Sequence, residues 1–400
     1  MQLLKNPYIF SIAIALLVFP FVAMLITLPF AIANYRKYGG ISILKTIIFY
    51  SFILYLLCVF LLTALPLPSR QEVLAMDPIG INFIPFSNLR EGLVYYGMTS
   101  SPATWTNTSI WLDYLRSKMF FQIVANIVMT IPLGIYLRYY FGFSLRKTVL
   151  FGFLASLFLE ATQLSGLWFI YPRPYRCPDV NDLMVNTLGA LIGYLIAPFF
   201  TFFLPKREEL DLISWRKGDK ATIIRQIVAT AIDFLSISLL SSALGTLIQS
   251  LAVKHFRFDL GETYYFPLFI FYFIILQRLL NGITFGKYVV RLKAISTDNR
   301  HKTPTIFNYL VRYFLIYFLI TLGLMMIMFM LLICIILFMY DNAAILKLMG
   351  ILGTGAVVLA VIAITFGIYK KHKLTPWDYF SKIRVVVANR PKQPFSTISH

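Results

Sequence analysis

Polar positions are the exception along this chain. Runs of about twenty apolar residues, the length a helix needs to cross a hydrocarbon core, recur near 8–33, 46–67, 118–138, 148–171, 184–204, 225–252, 264–281, 309–340 and 347–369. The pattern predicts an all-α, polytopic integral membrane protein of nine transmembrane helices. The eighth run is long enough to tilt or to continue beyond the bilayer. The first run has one competing reading. Met1–Lys5 precede it and Ala31-Ile32-Ala33 offers an A-x-A end, as in a signal peptide. It is too long for a secretory core, however, and Arg36 and Lys37 follow at once, so a retained span is expected.

Loop charge sets an expected orientation. Cations without matching acids fill 34–45 (Arg36, Lys37, Lys45) and 139–147 (Arg146, Lys147). They are also dense in 205–224 (Lys206, Arg207, Arg216, Lys217, Lys220), in 282–308 (Lys287, Arg291, Lys293, Arg300, Lys302) and from Lys370 onward. The intervening loops, 68–117, 172–183, 253–263 and 341–346, are nearly balanced. The positive-inside rule then places the N-terminus outside and the C-terminus in the cytoplasm.

Composition agrees. Apolar residues make up 59% of the 400 and charged residues 13%, against about 25% charged in soluble domains. That excludes a water-soluble enzyme. The net charge of +19 is accounted for by cytoplasmic loops that meet anionic lipid, so the expected partner is the bilayer and not nucleic acid. Cys58, Cys177 and Cys334 show no CxxC spacing and the four His are scattered. Neither a disulfide framework nor a metal site is indicated. The expected organisation is an extra N-terminal span (1–45), a membrane domain (46–205), a charged linker (206–222), a second membrane domain (223–388) and a tail (389–400).

Ionisable groups inside apolar runs are functional candidates by default. On the fourth run, Gly152, Ser156, Glu160 and Gln163 fall within about an 80° arc at 100° per residue. Asp179, Asp182, Asn186, Gly189 and Gly193 step by three and four along the start of the fifth, again one helical face. Its acidic end favours a helix N-terminus, where Asp179 also fits as a plain cap. The third run adds Gln122, Asn126, Thr130 and Gly134. Arg173 and Arg176 precede the acidic face, and the long outer loop holds Asn82-Phe83-Ile84-Pro85-Phe86, apolar enough to dip into the membrane. By the expected topology these residues converge on the outer side, although each alone also reads as a cap, a helix-packing hydrogen bond or an interface anchor.

The order NxIPF (Asn82 to Phe86), Asn126 with Pro132 and Gly134, SxxxExxQ (Ser156 to Gln163) and RxxDxxDLxxNxxGxxxG (Arg176 to Gly193) resembles the VanZ-like family over about 46–205. The resemblance implies the envelope phenotype of the family's namesake, resistance to the lipoglycopeptide teicoplanin without remodelling of the cell-wall precursor. It implies no particular reaction.

In the second half Arg225 sits at the expected cytoplasmic edge, where snorkelling would satisfy it. Asp233 lies two turns deeper and needs a partner or a proton; a fixed Arg225–Asp233 ion pair is one solution. Thr284-Phe-Gly-Lys287 and Pro376-Trp-Asp378 follow. Arg225, Asp233, this TFGK turn and Asp378 resemble the RDD family over about 215–388. The chain departs from that pattern with Phe285 where Pro is usual, Pro376-Trp377 where His is usual, and Ile383-Arg384 near the usual Thr. The resemblance implies transport, including cation/proton exchange in some members.

Three functions follow as expectations. In the first, an envelope protein binds or shields a lipid-linked or amphiphilic compound, such as a cell-wall precursor or a lipoglycopeptide, at the outer leaflet. Glu160, Asp179 and Asp182 would take a cation, protons or a cationic head group. Arg173 and Arg176 would take phosphate or carboxylate, with Asn82, Pro85, Asn126, Gln163 and Asn186 completing the site. The second half would couple, anchor or regulate. The second reading is a proton- or cation-coupled transporter using Arg225, Asp233 and Asp378, against which stands the lack of an inverted repeat. The third is an enzyme pairing Glu160 with Asp179 or Asp182 for acid–base work or Mg²⁺. No HExxH, nucleophile elbow or P-loop supports it, and no catalytic residue or cofactor is assigned. Richness in Phe, Ile, Lys and Tyr fits the cell membrane of an AT-rich Gram-positive bacterium.

Overall fold

Apolar segments this long satisfy their backbone polar groups internally as helices, and the computed structural model of the chain follows that rule. It describes residues 6–77, 79–95, 107–255, 265–298, 303–339, 355, 374–389 and 391. The ninth apolar run apart from Gly355, the cations Arg300, Lys302, Lys370, Lys371 and Lys373, and most of the tail 389–400 lie outside the described residues.

In order come α1 (Pro7–Tyr38), α2 (Ile43–Ala64), the short α3 (Arg70–Ala75), α4 (Ser87–Tyr95) and α5 (Thr108–Leu115), then α6 (Lys118–Tyr139) and α7 (Leu145–Leu164). A left-handed turn, α8 (Gly166–Phe169), leads to α9 (Val180–Thr201), α10 (Arg207–Lys217) and α11 (Ile223–His255). The seventh apolar run is broken into α12 (Tyr265–Ile270), a π-helical stretch (Phe271–Leu276) and α13 (Gln277–Leu279). Then follow α14 (Phe285–Val289), β1 (Leu292–Ser296), α15 (Ile306–Met339), α16 (Pro376–Phe380) and β2 (Ile383–Val387). Among the described residues six helices are long and apolar enough to cross a membrane: α1, α2, α6, α7, α9 and Ile223–Leu247 of α11. The protein is mostly helical and polytopic.

The chain divides into two units, Met1–Thr27 with Ser42–Ile213, and Leu28–Ile41 with Ser214–His400. In the first, α6 and α9 are in backbone contact through glycines. A Cβ on Gly193 would lie 2.0 Å from the Ile131 carbonyl oxygen, and one on Gly134 equally close to that of Ala190. Small residues permit this approach between apolar helices. Phe52, Leu133, Leu137 and Ala190 form the adjoining core. A second core of Ala64, Val73, Leu167, Tyr171 and Tyr175 anchors the segments after α2 and α8.

In the second unit β1 and β2 pair antiparallel, Leu292 opposite Val387 and Ser296 opposite Ile383. The all-helical expectation missed this ribbon. Its strands are five residues each and distant in sequence, so the pairing that makes them strands carries no local signature. Leu292, Ala294, Ile383 and Val385 turn inward onto α11, the π-helical stretch and α15.

Candidate functional site

In the first unit the start of α9 organises the polar residues. Asp179 is extended (φ −131°, ψ 122°) and caps the helix, its Oδ1 accepting from the Asn181 backbone N–H at 2.8 Å and from Asn181 Nδ2 at 2.7 Å. The Asp179 N–H points back to α7 and donates to Glu160 Oε2 at 2.9 Å. Glu160 thereby sits beside the positive end of the α9 dipole, a favourable place for a carboxylate. Asn82 straps the long loop to the same point. Its N–H donates to the Pro178 carbonyl and its carbonyl accepts from the Val180 N–H, both at 3.0 Å. Asn82 Nδ2 and Asn181 Nδ2 each donate to Ser87 Oγ at 2.7 Å.

One turn into α9, Asp182 Oδ1 accepts from Asn126 Nδ2 of α6 at 2.7 Å. Asn186 Nδ2 donates to Ser156 Oγ of α7 at 3.0 Å, and the buried Asn186 Oδ1 has no partner among the described residues. The structure thus brings together Asn82, Asn126, Glu160, Asp179, Asp182 and Asn186. Pro85 remains on the exposed tip of the loop, between Phe83 and Phe86, which are also exposed. Among the described residues no group of three acidic, His or Cys side chains is arranged to hold a metal.

Arg173, Arg176 and Gln163 do different work. Arg176 donates to the Thr63 carbonyl at 2.7 Å and to that of Leu65 at 2.5 Å, while Gln163 Nε2 reaches Thr63 O at 3.5 Å. Arg173 donates to the carbonyls of Val73 (2.8 Å), Leu74 (2.6 Å) and Met76. Both guanidinium groups therefore close the C-terminal ends of α2 and α3, where unpaired carbonyls and the helix dipole attract cations. Tyr175 and Tyr171 add hydroxyl bonds to the Ala64 and Pro68 carbonyls at 2.8 and 2.6 Å. These residues hold the loops that carry the carboxylate cluster.

The second unit contains a separate buried charged group. Asp233 of α11 is 1% exposed and accepts three bonds of 2.6 Å, from Tyr272 Oη, Thr284 Oγ1 and the Gly286 N–H. Gly286 is required for that approach, since a Cβ there would lie 2.0 Å from the Ala229 carbonyl oxygen. Arg225 does not reach Asp233. Its buried guanidinium donates to the carbonyls of Val290 (2.8 Å) and Gly218 (2.9 Å) and lies 5.4 Å from the centre of the Tyr35 ring. Asp378 pairs with Arg312 at 2.9 Å. Lys287 Nζ meets Tyr313 Oη at 3.3 Å and Thr284 Oγ1 at 3.5 Å, and Tyr313 donates to Gln277 Oε1 at 2.7 Å.

Burial, reinforced by the nearby Arg312 charge, pulls the Lys287 pKa down to about 8. Burial also pushes the Asp378 carboxyl above the usual range, against the pull of Arg312. Sequence reasoning placed Lys287 in the TFGK turn and among the loop cations but gave it no site role, and it gave none to Arg312, Tyr313 or Gln277. Arg312, a lone cation within an apolar run, carried the one legible signal.

A multi-helix membrane protein with a carboxylate cluster on one unit and a buried ionic group on the other is the class defined so far. Residues 52–201 match the VanZ/LLP1 family model and residues 220–382 match the RDD family model. Neither a curated protein nor a solved structure matches the chain. The chain carries a VanZ-like domain and an RDD domain in tandem, and it is a membrane protein of the cell envelope.

Proposed function

We propose that the VanZ-like unit binds or shields an amphiphilic, lipid-linked compound at the outer leaflet of a Gram-positive cell membrane, lowering susceptibility to teicoplanin-type glycopeptides. The observation that supports this reading is the gathering of Glu160, Asp179 and Asp182 at the start of α9 beside a loop whose Phe83, Ile84 and Phe86 are exposed. Carboxylates next to apolar side chains suit a cationic, lipid-bearing molecule. The RDD unit anchors or regulates.

The test is teicoplanin susceptibility of a sensitive host expressing the full chain, Glu160→Gln or Asp179→Asn at matched membrane levels. Gln keeps an oxygen to accept the Asp179 N–H, and Asn caps helices about as well as Asp. Both variants therefore remove charge while sparing structure. The parent is expected to protect, and each variant to return the host to its own susceptibility. Protection by both variants would sink the charge-based reading.

The rival reading is a proton- or cation-coupled transporter working through Arg225, Asp233 and Asp378. Their burial inside a membrane unit favours it. The saturation of Asp233 by three short hydrogen bonds argues for a fixed structural role instead. In proteoliposomes, Asp233→Asn is expected to leave proton and sodium flux at the parent's level; a flux that the parent supports and this variant abolishes would establish the transporter.

A further inference from the structure

In the second unit a cleft of about 500 Å³ opens between α11, α15 and α16. That volume falls within the range of about 300–1,000 Å³ typical of small-ligand sites. Its walls are apolar side chains of membrane helices, among them Ile227, Ile316 and Leu319, and Ile227 at the rim is itself exposed. Two cations also line it, Lys287 and Arg312. They are 7% and 5% exposed.

Neither cation is fully matched. One terminal nitrogen of Arg312 pairs with Asp378, but the other, Nη1, is buried with no partner among the described residues. Lys287 meets only hydroxyl oxygens, and no described carboxylate forms an ion pair with it. Of the nearest acids, Asp233 accepts from Tyr272, Thr284 and Gly286, while Asp378 lies 2.9 Å from Arg312 Nη2, its Oδ1 accepts no hydrogen bond among the described residues, and it offsets the Lys287 charge from a distance. A buried guanidinium nitrogen without an acceptor is costly, and among the described residues the cleft lacks a hydrogen-bond acceptor at Arg312 Nη1. An oxyanion would complete it, because phosphate accepts from a guanidinium and an ammonium together.

The geometry points to an acidic glycerophospholipid as the occupant, its phosphate between Lys287 and Arg312 and its acyl chain leaving along Ile227, Ile316 and Leu319 into the bilayer. A soluble anion would gain the same charge contacts but nothing from the apolar walls, which favour a lipid. The site is independent of the carboxylate cluster of the first unit.

Native mass spectrometry of the full chain, released from nanodiscs of equal parts phosphatidylglycerol and phosphatidylcholine, tests this. The parent is expected to retain phosphatidylglycerol in preference, with excess inorganic phosphate leaving it in place. Lys287→Gln is expected to hold it roughly tenfold more weakly, the worth of about one charge-assisted hydrogen bond. Thr230→Phe fills the cleft from α11 without touching either cation and is expected to abolish retention; it decides the matter should Lys287→Gln not fold. Equal retention of the two lipids by the parent, or an undiminished preference in Thr230→Phe, overturns the proposal. Displacement by inorganic phosphate alone also overturns it, in favour of a soluble anion site.

Discussion

Gly193→Ala, the addition of a single methyl group, is expected to force α6 away from α9 and to cost the first unit about 3 kcal/mol, the upper part of the range for overpacked interiors. The new Cβ would lie 2.0 Å from the Ile131 carbonyl oxygen, where ordinary contact begins near 3.4 Å. Backbone cannot swing aside as a side-chain tip can, so the helices must part locally by more than about 1 Å. Gly134 and Gly189 make matching approaches from the two sides, to Ala190 O at 2.0 Å and Ile127 O at 2.4 Å, and the parting cannot stay at one residue.

The same displacement reaches the carboxylate cluster. Asn126 of α6 donates to Asp182 of α9 at 2.7 Å, and a bond stretched by 1 Å from there no longer counts as one. Thermal unfolding in detergent should show Gly193→Ala melting roughly 10 °C below the parent. Gly323→Ala, where a Cβ meets nothing within 4 Å, should melt with the parent. An unchanged melting temperature for Gly193→Ala would mean that the crossing is looser than the structure places it.

How much of this could be read from the sequence depended on how local each signal was. The stripe of Ser156, Glu160 and Gln163 and the three-and-four spacing from Asp179 to Gly193 are properties of one helix each, and periodicity displays them directly. Hydropathy likewise located α1, α2, α6, α7, α9 and α11. What stayed hidden was which partner each group takes. Arg173 and Arg176 look like anion ligands when read beside Asp179 and Asp182, yet their donors go to carbonyls at the ends of α2 and α3. Those carbonyls lie some hundred residues away in sequence.

Arg225 and Asp233 are two turns apart on one helix, which invites a pair. Instead the turn around Thr284–Gly286 saturates the aspartate, and carbonyls near Val290 hold the arginine. The β1–β2 ribbon joins segments on either side of the eighth and ninth apolar runs, and the Arg312–Asp378 pair joins the start of the eighth run to the segment after the ninth, juxtapositions that composition and spacing do not encode.

That pair supports the second large effect. Asp378→Leu is expected to destabilise the RDD unit by about 3–5 kcal/mol, the usual cost of stranding one member of a buried ion pair. Arg312→Met should cost less. Removing Asp378 leaves two buried cations, Arg312 and Lys287, whose other nearby acid, Asp233, already accepts three hydrogen bonds. Removing Arg312 leaves Asp378 close to Lys287, which it already stabilises electrostatically. Arg312→Met combined with Asp378→Leu should recover most of the parent's stability, because an apolar pair fills the same space without desolvated charge.

The pH dependence separates this account from simple loss of packing. In the parent, Lys287 has its pKa lowered to about 8, against about 10.4 when unfolded. Between those values the unfolded chain binds more protons, so the lysine's contribution makes stability rise with pH. The groups facing Lys287 are Asp233 from α11, Thr284 from its own turn, Arg312 and Tyr313 from α15, and Asp378 from α16. In Asp378→Leu one of the two acids is gone while Arg312 stays, so the lysine pKa falls further and the rise should begin at lower pH than in the parent. Unfolding followed from pH 6 to 10 reads this onset for both proteins. An onset at the parent's pH, or a double variant no more stable than Asp378→Leu, would show that packing around α16 and not the buried charge sets the cost.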